Sequence, residues 1–145
     1  MTRRSWLTAT LAAAGAPLLR ADAADDAWET VGYIASALSR AEPQDALGYF
    51  DKAMPGWERL RTDLIALARD FHVETAIDLV GNEGSARARV IEADWLLRFT
   101  RAAAREEVAR PVTRRARATV KLEKRGRGWK VVSLDPRDLF APPGV

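Results

Sequence analysis

The sequence predicts an α+β domain in which N-terminal helices cover one face of a curved, mainly antiparallel sheet of four or more strands. Three observations carry this. Apolar residues recur at three-and-four spacing from Asp25 to Phe71; the period changes to two after Phe71; and four strand-like runs follow, separated by turn residues. A chain of 145 residues, 48% hydrophobic and 30% charged, suits one domain with a real core rather than a disordered segment. With no cysteine and one histidine, disulfides, thiolate chemistry and multi-histidine metal sites are excluded.

Met1 to Ala23 reads as a leader. Arg3 and Arg4 precede an uncharged apolar run, Trp6 to Leu19, and Arg20-Ala21-Asp22-Ala23 then offers a small-residue cleavage site after Ala23. That run is well short of the roughly 20 residues a membrane-spanning helix needs, so the expectation is a removed export signal and no membrane span. Thr2-Arg3-Arg4-Ser5-Trp6-Leu7 also resembles the twin-arginine export motif, an alternative to an ordinary secretory signal with two arginines. On either route residues 24–145 form a single mature domain in the periplasm or outside the cell.

In the first helix, expected over Asp25–Ser39, Trp28, Val31, Ile34, Ala35 and Leu38 share one face. Pro43 suits the first turn of a short second helix, where its missing N–H costs nothing, with Ala46, Leu47, Phe50 and Ala53 inward. Pro55-Gly56 breaks it. A third helix from Trp57 carries Leu60, Leu64, Leu67 and Phe71 in a stripe and leaves Glu58, Arg59, Arg61, Asp63 and Arg69 for water.

The first strand alternates Val73, Thr75, Ile77 and Leu79 with Glu74, Ala76, Asp78 and Val80 and is followed by the turn Gly81-Asn82-Glu83-Gly84. The second begins with Ala86, Ala88 and Val90 on one face and continues with Trp95, Leu97 and Phe99, which are odd-numbered. A pleat keeps parity, so the sequence implies a β-bulge near Ile91–Ala93 or a strand buried on both faces at that end, with the bulge favoured. A polar connection, Thr100–Pro111, leads to a third strand with Ala116, Ala118, Val120 and Leu122 on one face and Arg115, Arg117 and Lys121 on the other. Lys124–Gly128 turns into a last strand, Trp129–Leu134, stopped by Pro136.

The leader contributes +2 of the net charge of +3, so the mature domain is near neutral and lacks the excess that nucleic-acid binding uses. The charge is unevenly spread. Residues 24–97 hold 7 basic and 14 acidic side chains, residues 98–130 hold 12 and 3. The basic set Arg87, Arg89, Arg114, Arg115, Arg117 and Lys121 is expected on the outer sheet face, either simply solvated or meeting anionic lipid, an envelope polymer, an envelope protein or the acidic helices of a second copy.

The order of elements, the breaks at Pro43 and Pro55-Gly56-Trp57, the strand Ala93-Asp94-Trp95 and the closing Gly128-Trp129-Lys130-Val131-Val132-Ser133-Leu134-Asp135-Pro136 resemble the nuclear transport factor 2-like superfamily, with its ketosteroid isomerases and SnoaL-type cyclases. Leu139-Phe140-Ala141-Pro142 resembles the close of exported bacterial members of unknown activity. The resemblance covers residues 25–140. It implies a cone-shaped fold, helices on the concave face of the sheet, an apolar cavity, and a homodimer built sheet to sheet.

Enzymes of that superfamily set a carboxylate and an oxyanion donor inside the cone, where desolvation raises the carboxylate pKa. Residues of the right type are Asp78, Glu92 and Asp94 on strands and Tyr33 and Tyr49 on helices. A bulge after Val90 would instead turn Glu92 and Asp94 away from the helices, toward Arg115 or Arg117. His72, at a helix–strand junction, suits a cap or a general base. Trp28, Trp57, Trp95 and Trp129 are expected in the core, with Trp28, Trp57 and Trp95 as candidates to line a pocket. No phosphate loop, carboxylate metal loop or other cofactor motif occurs, so no cofactor or metal is expected. The expected function is binding, of a hydrophobic small molecule in the cone or a protein partner on the sheet. The alternative is an isomerase-, cyclase- or dehydratase-like enzyme using a buried carboxylate and a tyrosine.

Overall fold

The computed structural model describes residues 15–102 and 110–144, and the side chains of its first helix from Asp22 onward. The order is α1 (Gly15–Ser39), α2 (Pro43–Leu47), α3 (Trp57–Asp70), β1 (Phe71–Gly84), β2 (Ala88–Arg101), β3 (Val112–Arg125) and β4 (Gly128–Asp135). Each strand pairs antiparallel with the next in a four-stranded sheet of order β1-β2-β3-β4, and the helices cover its concave face. Arg3 and Arg4, and most of the connection expected between β2 and β3, lie outside the described residues. α1 runs unbroken through Ala23 and Ala24, and Ala23 is buried. No described helix is long and apolar enough to cross a membrane.

The helical stripes bury as their spacing predicts. Val31, Ile34, Ala35 and Leu38 of α1 and Leu60, Leu64 and Leu67 of α3 are all buried. Pro43 opens α2, and Gly56 starts α3 from a left-handed backbone (φ +79°) that few side chains tolerate. Two assignments change. Ala53 lies past the end of α2 and is exposed, while Asp63 is 5% exposed, because Arg59 one turn earlier reaches it at 3.2 Å.

The parity change expected in β2 does not occur; the irregularity of this hairpin is on β1. β2 pairs with β3 without a break from Ala88↔Glu123 to Phe99↔Val112, so there is no bulge at Ile91–Ala93. Arg89, Ile91, Ala93, Trp95, Leu97 and Phe99 all face inward and are buried, whereas Val90 is 40% exposed and Ala86 and Ala88 are exposed. The extra residue is Val80 in β1, between the pairs Leu79↔Ala93 and Gly81↔Glu92. Below it Phe71, Val73 and Ile77 face the helices; above it Asn82 does, opposite Ile91. A second irregularity, at Val132, keeps both Val131 and Leu134 inward.

The inner faces of the sheet and helices meet in one core that includes Trp95, Phe99, Val120, Leu122, Trp129 and Val131. The connection after α2 is stitched to β4: the Asp51 N–H donates to the Val131 carbonyl at 2.9 Å and the Val131 N–H to that of Tyr49 at 2.8 Å. After β4 the chain folds back and places Leu139 and Phe140, both essentially fully buried, in the same core. Burying side chains of this size contributes about 1.5–3 kcal/mol each.

Candidate functional site

The three strand carboxylates share the outer face of the sheet. Asp78, Glu92 and Asp94 are exposed, because they stand at the even positions opposite the buried odd set. Asp78 and Asp94 are directly paired across β1 and β2, and Asp94 is paired in turn with Arg117 of β3, whose Nε donates to Asp94 Oδ1 at 2.6 Å. Asp94 thereby holds the Arg117 guanidinium above its ordinary pKa. Glu92 lies over Gly81. The cone-lining role considered for these carboxylates is therefore not what their placement gives, and the ion pair across the sheet is. His72 is also exposed, within β1 opposite Thr100, rather than at a helix cap.

The tyrosines meet one another, not a carboxylate. The Tyr33 and Tyr49 rings stack at 5.8 Å, with Tyr33 51% exposed and Tyr49 half-buried. Trp28 and Trp57 are half-buried against the core, while Trp95 and Trp129 lie within it. Both buried indole Nε1–H groups lack an acceptor among the described residues. An unpaired buried donor costs on the order of 1–3 kcal/mol, so each marks a place where the core is not optimised for stability alone.

Inside the cone little room remains. A residual cavity of about 10 Å³ lies among Val31, Ile34, Phe50, Trp95, Val131 and Phe140. A wider recess lies where α3 begins, a pocket of about 390 Å³. Met54, Pro55, Leu60 and Leu134 give it apolar walls; Arg59, Arg137 and Asp138 are its charged members. Leu134 borders both spaces. Arg59 pairs with Asp63, whereas Arg137 makes no ion pair among the described residues. Apolar walls with a few charged groups are the usual make-up of a small-molecule site. Sequence reading left Arg59 to solvent and assigned Arg137 and Asp138 no role, because the fold-back that brings them beside α3 has no periodic signal. Among the described residues no three metal-ligating side chains gather.

A second recess, about 430 Å³, lies on the outer sheet face. Ala76, Leu96 and Arg115 form one cross-strand row of it and Asp78, Asp94 and Arg117 the next, so its acids lie on β1 and β2 and its arginines on β3. Of the basic set, Arg115, Arg117 and Lys121 stand on this face, but Arg89 is buried on the inner one and Arg114 lies over the Phe99 ring at 4.9 Å.

The helices across a concave four-stranded meander are shared with solved structures. A nuclear transport factor 2-like superfamily protein from Salmonella enterica superposes with TM-score 0.63 at 14% identity, over 79% of this chain and 89% of that one. The chain adopts the nuclear transport factor 2-like fold. A ketosteroid isomerase-like protein from Erwinia carotovora atroseptica shares this fold at TM-score 0.60 and 14% identity, covering 77% of this chain and 92% of its own. A type 2 hexachlorocyclohexane dehydrochlorinase shares it at TM-score 0.64 and 14% identity, over 81% and 86%. No protein-family model and no curated protein matches the sequence. Identities this low speak for the nuclear transport factor 2-like fold and leave the activity to the residues.

Proposed function

We propose that the chain is an exported domain, cut after Ala23, that binds a compact apolar molecule bearing an anionic group in the pocket between α3 and the segment after β4. The observation that carries this is the pocket itself: apolar walls from Met54, Leu60 and Leu134 beside Arg137, a guanidinium with no carboxylate partner among the described residues. 1-Anilinonaphthalene-8-sulfonate combines an aromatic body with an anion and is the test probe. The expected result is saturable fluorescence enhancement, weakened at least fivefold by Arg137→Gln. Absence of saturable binding would sink the reading. Export is tested by cell fractionation and intact mass, with a mature chain beginning at Ala24 expected.

An enzymatic reading of the same pocket is favoured by Asp138, the carboxylate lining it, and by the isomerase-like and dehydrochlorinase neighbours. On that reading Asp138→Asn keeps probe binding and abolishes turnover. On the sheet the partner we propose is a second copy, because the outer recess sets acidic Asp78 and Asp94 against basic Arg115 and Arg117, a pattern that a twofold axis makes self-complementary.

A further inference from the structure

We propose that the segment after β4 is a displaceable plug: Leu139 and Phe140 withdraw from the cone and let the ligand in as far as the Trp95 indole N–H. The proposal rests on the pocket reading above and adds its regulation. Four features support it.

First, the segment is held by packing far more than by hydrogen bonds. Leu139 and Phe140 are 0% and 1% exposed. Yet among the described residues the only hydrogen bonds tying Pro136–Pro143 to the rest of the molecule come from Arg114, whose Nη1 donates to the carbonyls of Leu139 at 2.5 Å and Asp138 at 3.4 Å. The others are internal turns, from Leu139 N–H to Pro136 and Ala141 N–H to Asp138. No strand ladder has to break for the segment to leave. A ligand of similar apolar volume then restores the burial that is lost.

Second, Phe140 fills the cone and touches Trp95 edge to face, with ring centroids 5.2 Å apart at 77°. Third, Trp95 Nε1 is buried with no hydrogen-bond acceptor among the described residues, and Phe140, a hydrocarbon ring, carries no lone pair to offer one. A ligand oxygen in the place of Phe140 can. Fourth, the plug and the pocket are one construction: Arg137 and Asp138 of this segment line the pocket, and Leu134 walls both the pocket and the cone. The ligand class that follows is a compact apolar molecule with one hydrogen-bond acceptor at its buried end and an anion at the end near Arg137.

The probe is 5-oxo-5-phenylpentanoate, which joins an aryl ketone to a carboxylate, titrated into the purified full chain and followed by NMR. The Trp95 indole N–H, assigned with Trp95→Phe, reports entry into the cone; the Met54 methyl reports the outer pocket. Arg114→Gln loosens the plug without touching either space. If binding first has to open the plug, this change removes part of that cost and tightens apparent affinity about tenfold. Phe140→Ala, checked for folding by its thermal melt, is the second variant and tightens binding further. The expected result is a saturable shift of both signals, stronger in both variants. A shift of Met54 alone, with affinity unchanged by Arg114→Gln, overturns the plug and leaves the pocket reading standing. No shift of either signal overturns both.

Discussion

Arg89 Nε donates to Asn82 Oδ1 at 3.0 Å, and Asn82 Nδ2 passes the connection on to the Ala24 carbonyl at 2.9 Å. Arg89 is 6% exposed and has no carboxylate partner among the described residues; its other bonds run to the carbonyls of Asn82 at 3.0 Å and Ser85 at 3.4 Å. A charged side chain is thus used as a set of directed donors that fixes the β1–β2 turn. Asn82 then ties α1 at Ala24 to the sheet. Asn82→Ala should cost about 2 kcal/mol, the scale of lost hydrogen bonds involving a buried charge. Urea unfolding measures the loss, and faster amide exchange confined to the first turns of residues 24–30 would identify its origin.

Phe140→Ala should destabilise by about 3–5 kcal/mol, as for other large-to-small changes at fully buried aromatic sites. Leu79→Ala, at a position 45% exposed, should change stability far less. Comparable melting temperatures for the two variants would show that Phe140 is not part of the packed core.

Asp51 gives a pH dependence. The Ala53 N–H at 2.8 Å and Arg125 at 3.0 Å hold its carboxyl below the ordinary value of 3.8. A group depressed in the folded state stabilises above its unfolded pKa, and that contribution disappears as the pH falls through the folded value. The parent chain should therefore be more stable than Asp51→Asn at pH 7, and the two should converge below pH 3.8. Melting curves across this range decide it; a gap that widens in acid would reverse the assignment.

On the outer face, Arg117→Glu sets a third acid beside Asp78 and Asp94. Like charges at neighbouring strand positions repel, so the self-association proposed for this face should be lost. The pair is solvent-exposed, and the fold itself should melt nearly unchanged. Light scattering at micromolar concentration is the measurement. A parent chain that is already monomeric would remove the dimer.

The sequence made the elements legible wherever one side of a helix or strand is apolar, as in α3 and β3, because periodicity records which face is buried. It misled at β2, where an inward arginine followed by Val90 on the outside imitates a shifted register. Arg89 breaks the pattern because its neighbours supply neutral acceptors, something no spacing rule can announce. The outward facing of Glu92 and Asp94 and the pairing with Arg117 were readable, although the bulge invoked for them is absent from β2, whose unbroken alternation turns them outward. The pocket was not readable. It is made by a non-periodic connection, Met54–Gly56, and a fold-back, Arg137–Asp138, which lie far apart in the chain and carry no repeat.

The two edges of the sheet also differ in how they treat neighbouring molecules. At β4, Tyr49–Asp51 already occupy backbone groups of Val131 that an incoming strand would use. At β1 no strand pairs with the outer edge among the described residues, and Leu79 and Val80 are each 45% exposed, a composition that invites a foreign strand to continue the ladder. The additional residue at Val80 interrupts the regular spacing of donors and acceptors just there, so a straight strand cannot stay in step along the whole edge. The same irregularity that turns Asn82 toward Ala24 thus acts as a guard against runaway aggregation, and deleting Val80 would cost the protein solubility as well as its hold on the first helix.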